Sequence, residues 1–161
     1  LIARPTRPII LQITRSANES LAAIAARCRR ELARAWLSAS DVASLLKTQH
    51  DISQVRILRR LARLFGVWEA EERAYRYPPW QFGLDCKPVE QLPEILGLLR
   101  EEGRMAVGDR SGSGWSEAEW LLSPHALLEG RSPYEFLSID PDRILKIATE
   151  QFVADSDAGG F

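Results

Sequence analysis

The chain has 161 residues, of which 45% are hydrophobic and 27% are charged, and its net charge is −1 at pH 7. This composition argues against wholesale disorder, and no apolar run approaches the roughly 20 residues that span a bilayer. The two cysteines, Cys28 and Cys86, fit neither a metal-binding spacing nor a disulfide framework, so we expect a reduced, cytoplasmic setting.

The charge is distributed unevenly along the chain. Residues 1–36 carry a net charge of +5, residues 37–80 carry +2 and residues 81–161 carry −8. A basic segment is attracted to the phosphates of nucleic acid, whereas an acidic segment is repelled by them. Residues 1–80 are therefore a candidate for nucleic-acid binding, and residues 81–161, here called the rear half, are a candidate for binding another partner. Charge clusters also occur on faces that are only solvated.

The first 36 residues are predicted to contain an arm and a helix. The apolar run Ile9–Ile13 follows two prolines, and we interpret it as an arm or an edge strand. Ser16 and Glu19 then form a capping-box pattern. Apolar residues recur after it with helical spacing, which predicts one amphipathic helix over residues 18–36 with arginines on its polar face, namely Arg27, Arg30 and Arg34.

Two shorter helices are predicted to follow. The first begins at Ser38–Asp41 and ends near Lys47, with its inward side formed by Val42, Leu45 and Leu46. The second is capped by Asp51 and ends at about Arg63. Its predicted buried stripe consists of Ile52, Val55, Leu58 and Leu61.

A hairpin and a second group of helices complete the predicted fold. The β-prone runs Leu64–Trp68 and Ala74–Tyr77 flank a charged stretch, which indicates a β-hairpin, and Pro78-Pro79 ends its second strand. Further helices are predicted over residues 93–103, 115–122, 133–138 and 141–153. The predicted fold class is mainly α, a helix-turn-helix with a small β-hairpin wing followed by a small helical domain. The predicted domain boundary separates residues 1–82 from residues 83–161.

The pair of helices over residues 40–63 meets the requirements of a DNA-binding helix-turn-helix. One face of the second helix is apolar and the other is polar, then basic. Ser53, Gln54 and Arg56 are the candidates for base contacts. The phosphate candidates are Arg59, Arg60 and Arg63, and the wing candidates are Arg73 and Arg76. A plain helical pair with solvated arginines remains the alternative, because the connection Lys47–His50 is long and lacks glycine.

Several motifs resemble one branch of the Xre/MbcA/ParS antitoxin family. Tyr75–Phe82, with the sequence YRYPPWQF, resembles the end of the winged DNA-binding segment in that branch. Ser38–Leu46 is similar to its Ser-Ala-x-x-Val-Ala-x-Leu-Leu helix, and Arg63–Val67 to its Arg-Leu-Phe-x-Val strand. Leu127–Leu137 resembles the signature Leu-x-x-Gly-Arg-Ser/Thr-Pro-x-Glu-x-Leu of the family's toxin-binding domain. The resemblance covers about residues 37–153.

The resemblance implies a bacterial type II antitoxin. Such a protein neutralises a RES-like toxin that consumes NAD, and it represses its own operon by binding operator DNA, usually as a homodimer. The loop Gly108–Gly114 and the segment Trp115–Trp120 depart from the family pattern and leave the type of toxin open. A stand-alone winged regulator whose rear half only dimerises, and an adaptor that binds no DNA, are the alternatives.

The candidate toxin-binding residues lie in the rear half. Arg131 follows Gly130 in a turn, where it can contact a partner or lock the loop. If a toxin is bound, Glu150, Asp155 and Asp157 could pair with basic groups around an NAD pocket, although such acids are more often only solvated.

No residue pattern indicates catalysis or a cofactor. His50 and His125 lack metal-ligand neighbours, which favours a surface or capping role. Ser111–Gly114 lacks the Gly-Lys-Ser/Thr ending of a phosphate loop. Nothing assembles into a nucleophile, base and orienting group, so the chain is predicted not to be an enzyme and to need no cofactor or metal.

Overall fold

A computed structural model describes residues 9–48, 51–103 and 112–157. The chain divides into two compact units, Leu1–Ala35 and Trp36–Phe161. The described residues contain seven α-helices, two short 3-10 helices and one two-stranded antiparallel sheet, which confirms the mainly α class with a small hairpin. The predicted functional boundary after residue 82 falls inside the second unit, and it stays a prediction.

The first unit contains a single helix, α1 (Ile9–Arg34). The expected arm or edge strand over residues 9–13 is wrong, because the helix already begins at Ile9, and Ser16 lies within it instead of starting it. β-Branched isoleucines favour strands only weakly, and tertiary context overrides such preferences. No proline or glycine interrupts residues 9–65, so a helix over the alanine-rich stretch 22–26 can extend backward at little cost.

The second unit begins with α2 (Ala39–Leu45) and α3 (Ile52–Arg60), which pack against each other. A capping box starts α2: the Ser38 hydroxyl accepts from the Asp41 amide at 3.1 Å, and the Asp41 carboxylate accepts from the Ser38 amide at 2.8 Å. Asp51 caps α3 by accepting from the Ser53 amide at 2.8 Å. The core beneath the pair consists of Val42, Ala43, Val55, Leu64 and Tyr77.

The predicted hairpin is present, formed by β1 (Val67–Glu69) and β2 (Ala74–Arg76). The strands are antiparallel, with Trp68 opposite Tyr75. Beyond β2, the Tyr77 amide donates to the Leu37 carbonyl at 2.8 Å and the Leu37 amide donates back at 2.9 Å, which attaches the hairpin to the segment before α2. A 3-10 turn at Pro79–Gln81 then ends the wing region.

Four further helices complete the unit, namely α4 (Leu92–Gly103), α5 (Trp115–Leu122), α6 (Tyr134–Leu137) and α7 (Pro141–Asp157). α4 packs against α5 and α7 through leucines and isoleucines that are fully buried, including Leu92, Ile95, Leu96, Leu121 and Ile144. α5 is attached to the hairpin, because the Trp115 indole donates to the Trp68 carbonyl at 3.0 Å. Within the residues described, no helix combines the length and apolar character needed to cross a membrane.

Candidate nucleic-acid interface

Fewer residues of α3 are buried than the sequence predicted. Of its expected buried stripe, only Val55 is fully buried and Leu58 is half-buried, whereas Ile52 is 40% and Leu61 is 59% exposed. α3 has nine residues and packs through its middle turn, so its two ends project from the core. The assignment of Ile52 and Leu61 to the core is therefore wrong.

The outward side of α3 carries the polar and basic residues that the sequence singled out. Ser53, Gln54, Arg56 and Arg60 are exposed, and Arg63 is exposed just past the helix end. In the described part of the chain, no ion pair or side-chain hydrogen bond involves the guanidinium of Arg56, Arg60 or Arg63. Three cations that lack an internal counter-charge are available to an external anion.

Arg59 differs from these neighbours because it is half-buried against the hairpin. Its guanidinium carbon lies 3.7 Å from the centroid of the Tyr75 ring. Burial raises the pKa of the neighbouring Tyr77 hydroxyl, and the positive charge of Arg59 partly opposes that rise. Arg59 is therefore already engaged by its own chain.

The two wing arginines are placed differently from each other. Arg76 is 20% exposed and pairs with Glu72, whose carboxylate accepts from the Arg76 Nε at 3.1 Å. Arg73 is exposed in the turn of the hairpin, where its backbone has a positive φ of 51°. Only Arg73 thus offers a guanidinium at the tip of the wing.

The connection between α2 and α3 contains two residues outside the described part of the chain, Gln49 and His50. Lys47 has a φ of 56°, so it supplies the left-handed conformation for which glycine is the usual residue. The amide and hydroxyl of Thr48 both donate to the Ala43 carbonyl at 3.1 Å and end α2. The geometry of the complete turn therefore stays untested.

The Gly130–Pro133 motif forms a turn just before α6. Gly130 has a φ of 81°, as a turn glycine can. The Ser132 hydroxyl donates to the Leu122 carbonyl at 2.8 Å and does not cap α6, while the Ser132 amide donates to Glu135 at 2.8 Å. This amide and Arg131 hold the pKa of the Glu135 carboxyl below its usual value.

Arg131 lies over an aromatic ring beside exposed aliphatic residues. It pairs with Glu135 at 3.4 Å, and its guanidinium carbon is 4.6 Å from the centroid of Phe136. Arg143 lies 5.1 Å from the same centroid and donates to the Leu127 carbonyl at 3.2 Å. Next to them, the side chains of Leu127 and Ile139 are 56% and 77% exposed. We call these five residues the α6 patch, namely Leu127, Arg131, Phe136, Ile139 and Arg143.

The acidic candidates near the end of the chain lie on α7. Glu150 is exposed, and its carboxylate is 3.9 Å from the Lys146 ammonium, a surface pair of little energetic weight. Asp155 and Asp157 fall in the last turns of α7, but their side chains lie outside the described residues. In the described part of the chain, no hydrogen bond or ion pair joins Glu150 to the α6 patch, and contacts of Asp155 and Asp157 stay a prediction.

Two structural roles escaped the sequence reasoning. Gln81 is fully buried, and its carboxamide bonds the Phe65 amide and carbonyl at 2.7 and 2.8 Å and the Pro78 carbonyl at 2.9 Å. Trp36 is 8% exposed and stacks on Trp115 with ring centroids 5.9 Å apart. His125 does have the expected capping role, because its Nδ1 accepts from the Leu127 amide at 3.2 Å.

The chain matches no protein-family model and no curated protein. The NMR structure of Rv2175c is similar in fold, with a TM-score of 0.57 and 20% sequence identity over 73% of this chain and 80% of that chain. Similarity at this level of identity concerns the fold alone.

Proposed function

We propose that the protein is a DNA-binding transcriptional repressor that reads its operator with α3. The observation that carries this function is a row of exposed arginines, Arg56 and Arg60 on α3 and Arg63 just past its end, that have no ion pair within the described residues. The helix packs against α2 and precedes a hairpin. A recognition helix needs one face on a support helix and the other toward the major groove. We propose that the protein acts in the cytoplasm. It binds as a homodimer, with a second copy of the chain on the other half of the operator.

The exposed residues divide into two roles. Ser53, Gln54 and Arg56 lie in the first turns of α3, which enter the groove in such motifs, so we assign them to base edges. Arg60 and Arg63 follow at the end of the helix, and Arg73 at the tip of the wing, so we assign these three to phosphates. We give Arg76 no direct contact, because Glu72 already neutralises it.

The salt dependence of DNA binding tests this function. A fluorescently labelled duplex from the promoter of the protein's own gene is titrated with wild-type protein at several salt concentrations. Each phosphate contact contributes about 0.9 to the slope of log K against log salt, so Arg60→Met and Arg63→Met should each flatten the slope by about that amount. Lys146→Met removes another exposed cation, on α7, and should leave the slope unchanged. Equal slopes for all four proteins would contradict the assignment.

We further propose that the rear half acts as an antitoxin toward a RES-like toxin. Two observations support this: the resemblance of residues 127–137 to the family's toxin-binding signature, and the α6 patch, in which exposed aliphatic side chains lie beside two arginines. Exposed apolar groups rimmed by polar ones are typical of protein-binding surfaces. Glu150, Asp155 and Asp157 remain candidate contacts on α7. We assign the chain binding functions and no catalytic one.

Co-expression with the product of the adjacent gene tests the antitoxin function. Ile139→Asp places a charge in the α6 patch at a residue that is 77% exposed, so it should abolish co-purification and rescue from toxicity while the protein stays folded. Leu84→Asp makes the same change at a residue that is 107% exposed and lies outside the α6 patch, and it should have no effect. If wild-type protein binds the promoter but fails to rescue, the chain is a stand-alone regulator. Rescue without promoter binding would make it an adaptor.

A further inference from the structure

Arg59 is the one arginine of α3 whose guanidinium lies on the hairpin. Its guanidinium carbon is 3.7 Å from the Tyr75 ring centroid, and its Nε is buried without a hydrogen-bond partner in the part of the chain that is described. A guanidinium over an aromatic face is stabilised by cation–π attraction. Because that face is occupied, Arg59 cannot turn toward DNA without abandoning Tyr75.

On the hairpin, Tyr75 belongs to a cross-strand aromatic pair. Trp68 lies opposite Tyr75 across the two strands, and the two ring centroids are 5.1 Å apart. Gly66, just before β1, makes room for the arginine: a Cβ there would lie 3.3 Å from the Arg59 Cδ and 3.0 Å from the Tyr77 ring. The stem of Arg59 and the ring of Tyr77 thus close over Gly66.

A hairpin of two three-residue strands needs contacts outside itself, since an isolated two-stranded hairpin is at best marginally stable. Two backbone hydrogen bonds between Leu37 and Tyr77 attach the end of the hairpin to the segment before α2. The Trp115 indole donates a further hydrogen bond to the Trp68 carbonyl. The Arg59–Tyr75 contact adds a side-chain link to α3, beside the packing of Tyr75 on the core cluster that contains Val55.

We propose that Arg59 is a positioning residue that fixes the angle of the wing relative to α3 and makes no contact with DNA. This inference rests on the proposed DNA-binding function and assigns Arg59 a role different from that of Arg60, its neighbour in sequence. Arg73 reaches the duplex only if the wing is held at the correct angle, so loss of Arg59 weakens binding through the wing.

The salt slope separates positioning from phosphate contact. Arg59→Met and Arg60→Met each remove one positive charge and keep an unbranched side chain. Arg60→Met should flatten the slope of log K against log salt by about 0.9. Arg59→Met should lower the affinity for the promoter duplex about tenfold, and it should flatten the slope only while Arg73 is present, because the displaced wing loses the Arg73 phosphate contact. In an Arg73→Met background, Arg59→Met should therefore leave the slope unchanged. Arg59→Lys should not restore the affinity, because an ammonium does not stack as a planar guanidinium does. If Arg59→Met flattens the slope by about a further 0.9 in the Arg73→Met background and Arg59→Lys restores it, the inference is overturned.

Amide hydrogen exchange of the free protein tests the same role without DNA. Amides of β1 and β2 should exchange about tenfold faster in Arg59→Met than in wild-type protein, and at the wild-type rate in Arg60→Met. Unchanged hairpin exchange in Arg59→Met overturns the inference whether or not DNA binds. Faster exchange in Arg59→Met, combined with no promoter binding by wild-type protein even at low salt, supports the anchoring of the hairpin by Arg59 and refutes the proposed function.

Discussion

Replacing Gln81 by methionine should destabilise the protein far more than an ordinary surface substitution. The Gln81 carboxamide makes three hydrogen bonds, at 2.7, 2.8 and 2.9 Å, to the backbone on both sides of the hairpin, and the residue is fully buried. Methionine has nearly the same length and volume, so the change removes polar groups without opening a large cavity. The Phe65 amide then remains buried without a partner.

The magnitude follows from these bonds. Each net hydrogen bond contributes about 0.5–1.5 kcal/mol, and an orphaned buried amide costs about 1–3 kcal/mol, so we expect a loss of about 2–4 kcal/mol in the free energy of unfolding. Urea unfolding followed by tryptophan fluorescence measures it. Gln91→Met is the matched control, because the Gln91 amide makes one surface bond to Asp142 at 2.8 Å and its loss should cost under about 1 kcal/mol. Equal losses for the two variants would refute the structural role of Gln81.

Two further substitutions test local features of the fold. Ser38→Ala removes the capping box of α2 and should cost about 1 kcal/mol at neutral pH. The Ser38 hydrogen bonds to the Asp41 carboxylate hold the pKa of that group below its ordinary value of 3.8, so their stabilisation is present above that pH and is lost as the pH falls below it. The difference in unfolding free energy between the two proteins should therefore narrow in acid, to the part that the bond from the Asp41 amide to the Ser38 hydroxyl contributes. Gly114→Ala should lower the melting temperature clearly more than Gly112→Ala. Both positions have a positive φ, but only at Gly114 would a Cβ overlap the Gly66 carbonyl; similar melting temperatures would contradict that packing.

The local elements were largely predictable because their signals are local. Ser38 and Asp41 start α2, Asp51 caps α3, and the runs around Trp68 and Tyr75 pair as a hairpin, each through residues a few positions apart. The sequence did not predict the start of α1, because there the local preference is overridden by the residues that follow. The isoleucines of residues 9–13 have a strand preference, and the helix that continues from the following alanines overrides it.

The fate of individual site residues depends on partners that no spacing rule specifies. Arg59 and Tyr75 are sixteen positions apart, and the hairpin register that brings them together also brings Arg76 beside Glu72. Sequence periodicity therefore placed Arg59 and Arg60 in one basic row, although the fold buries part of the first and leaves the second in solvent. DNA binding by α3 and toxin binding by the α6 patch stay predictions, because each depends on a molecule outside the chain.

The claim on which the account depends is that DNA binds the outward side of α3. Titration of the labelled protein with its own promoter duplex at low salt, followed by amide chemical shifts in NMR spectra, measures this directly. The largest changes should fall on Ser53, Gln54 and Arg56 and on Arg73 at the wing tip, with the amides of α7 unaffected. A spectrum that does not change when the duplex is added, or changes confined to α7, would contradict the account.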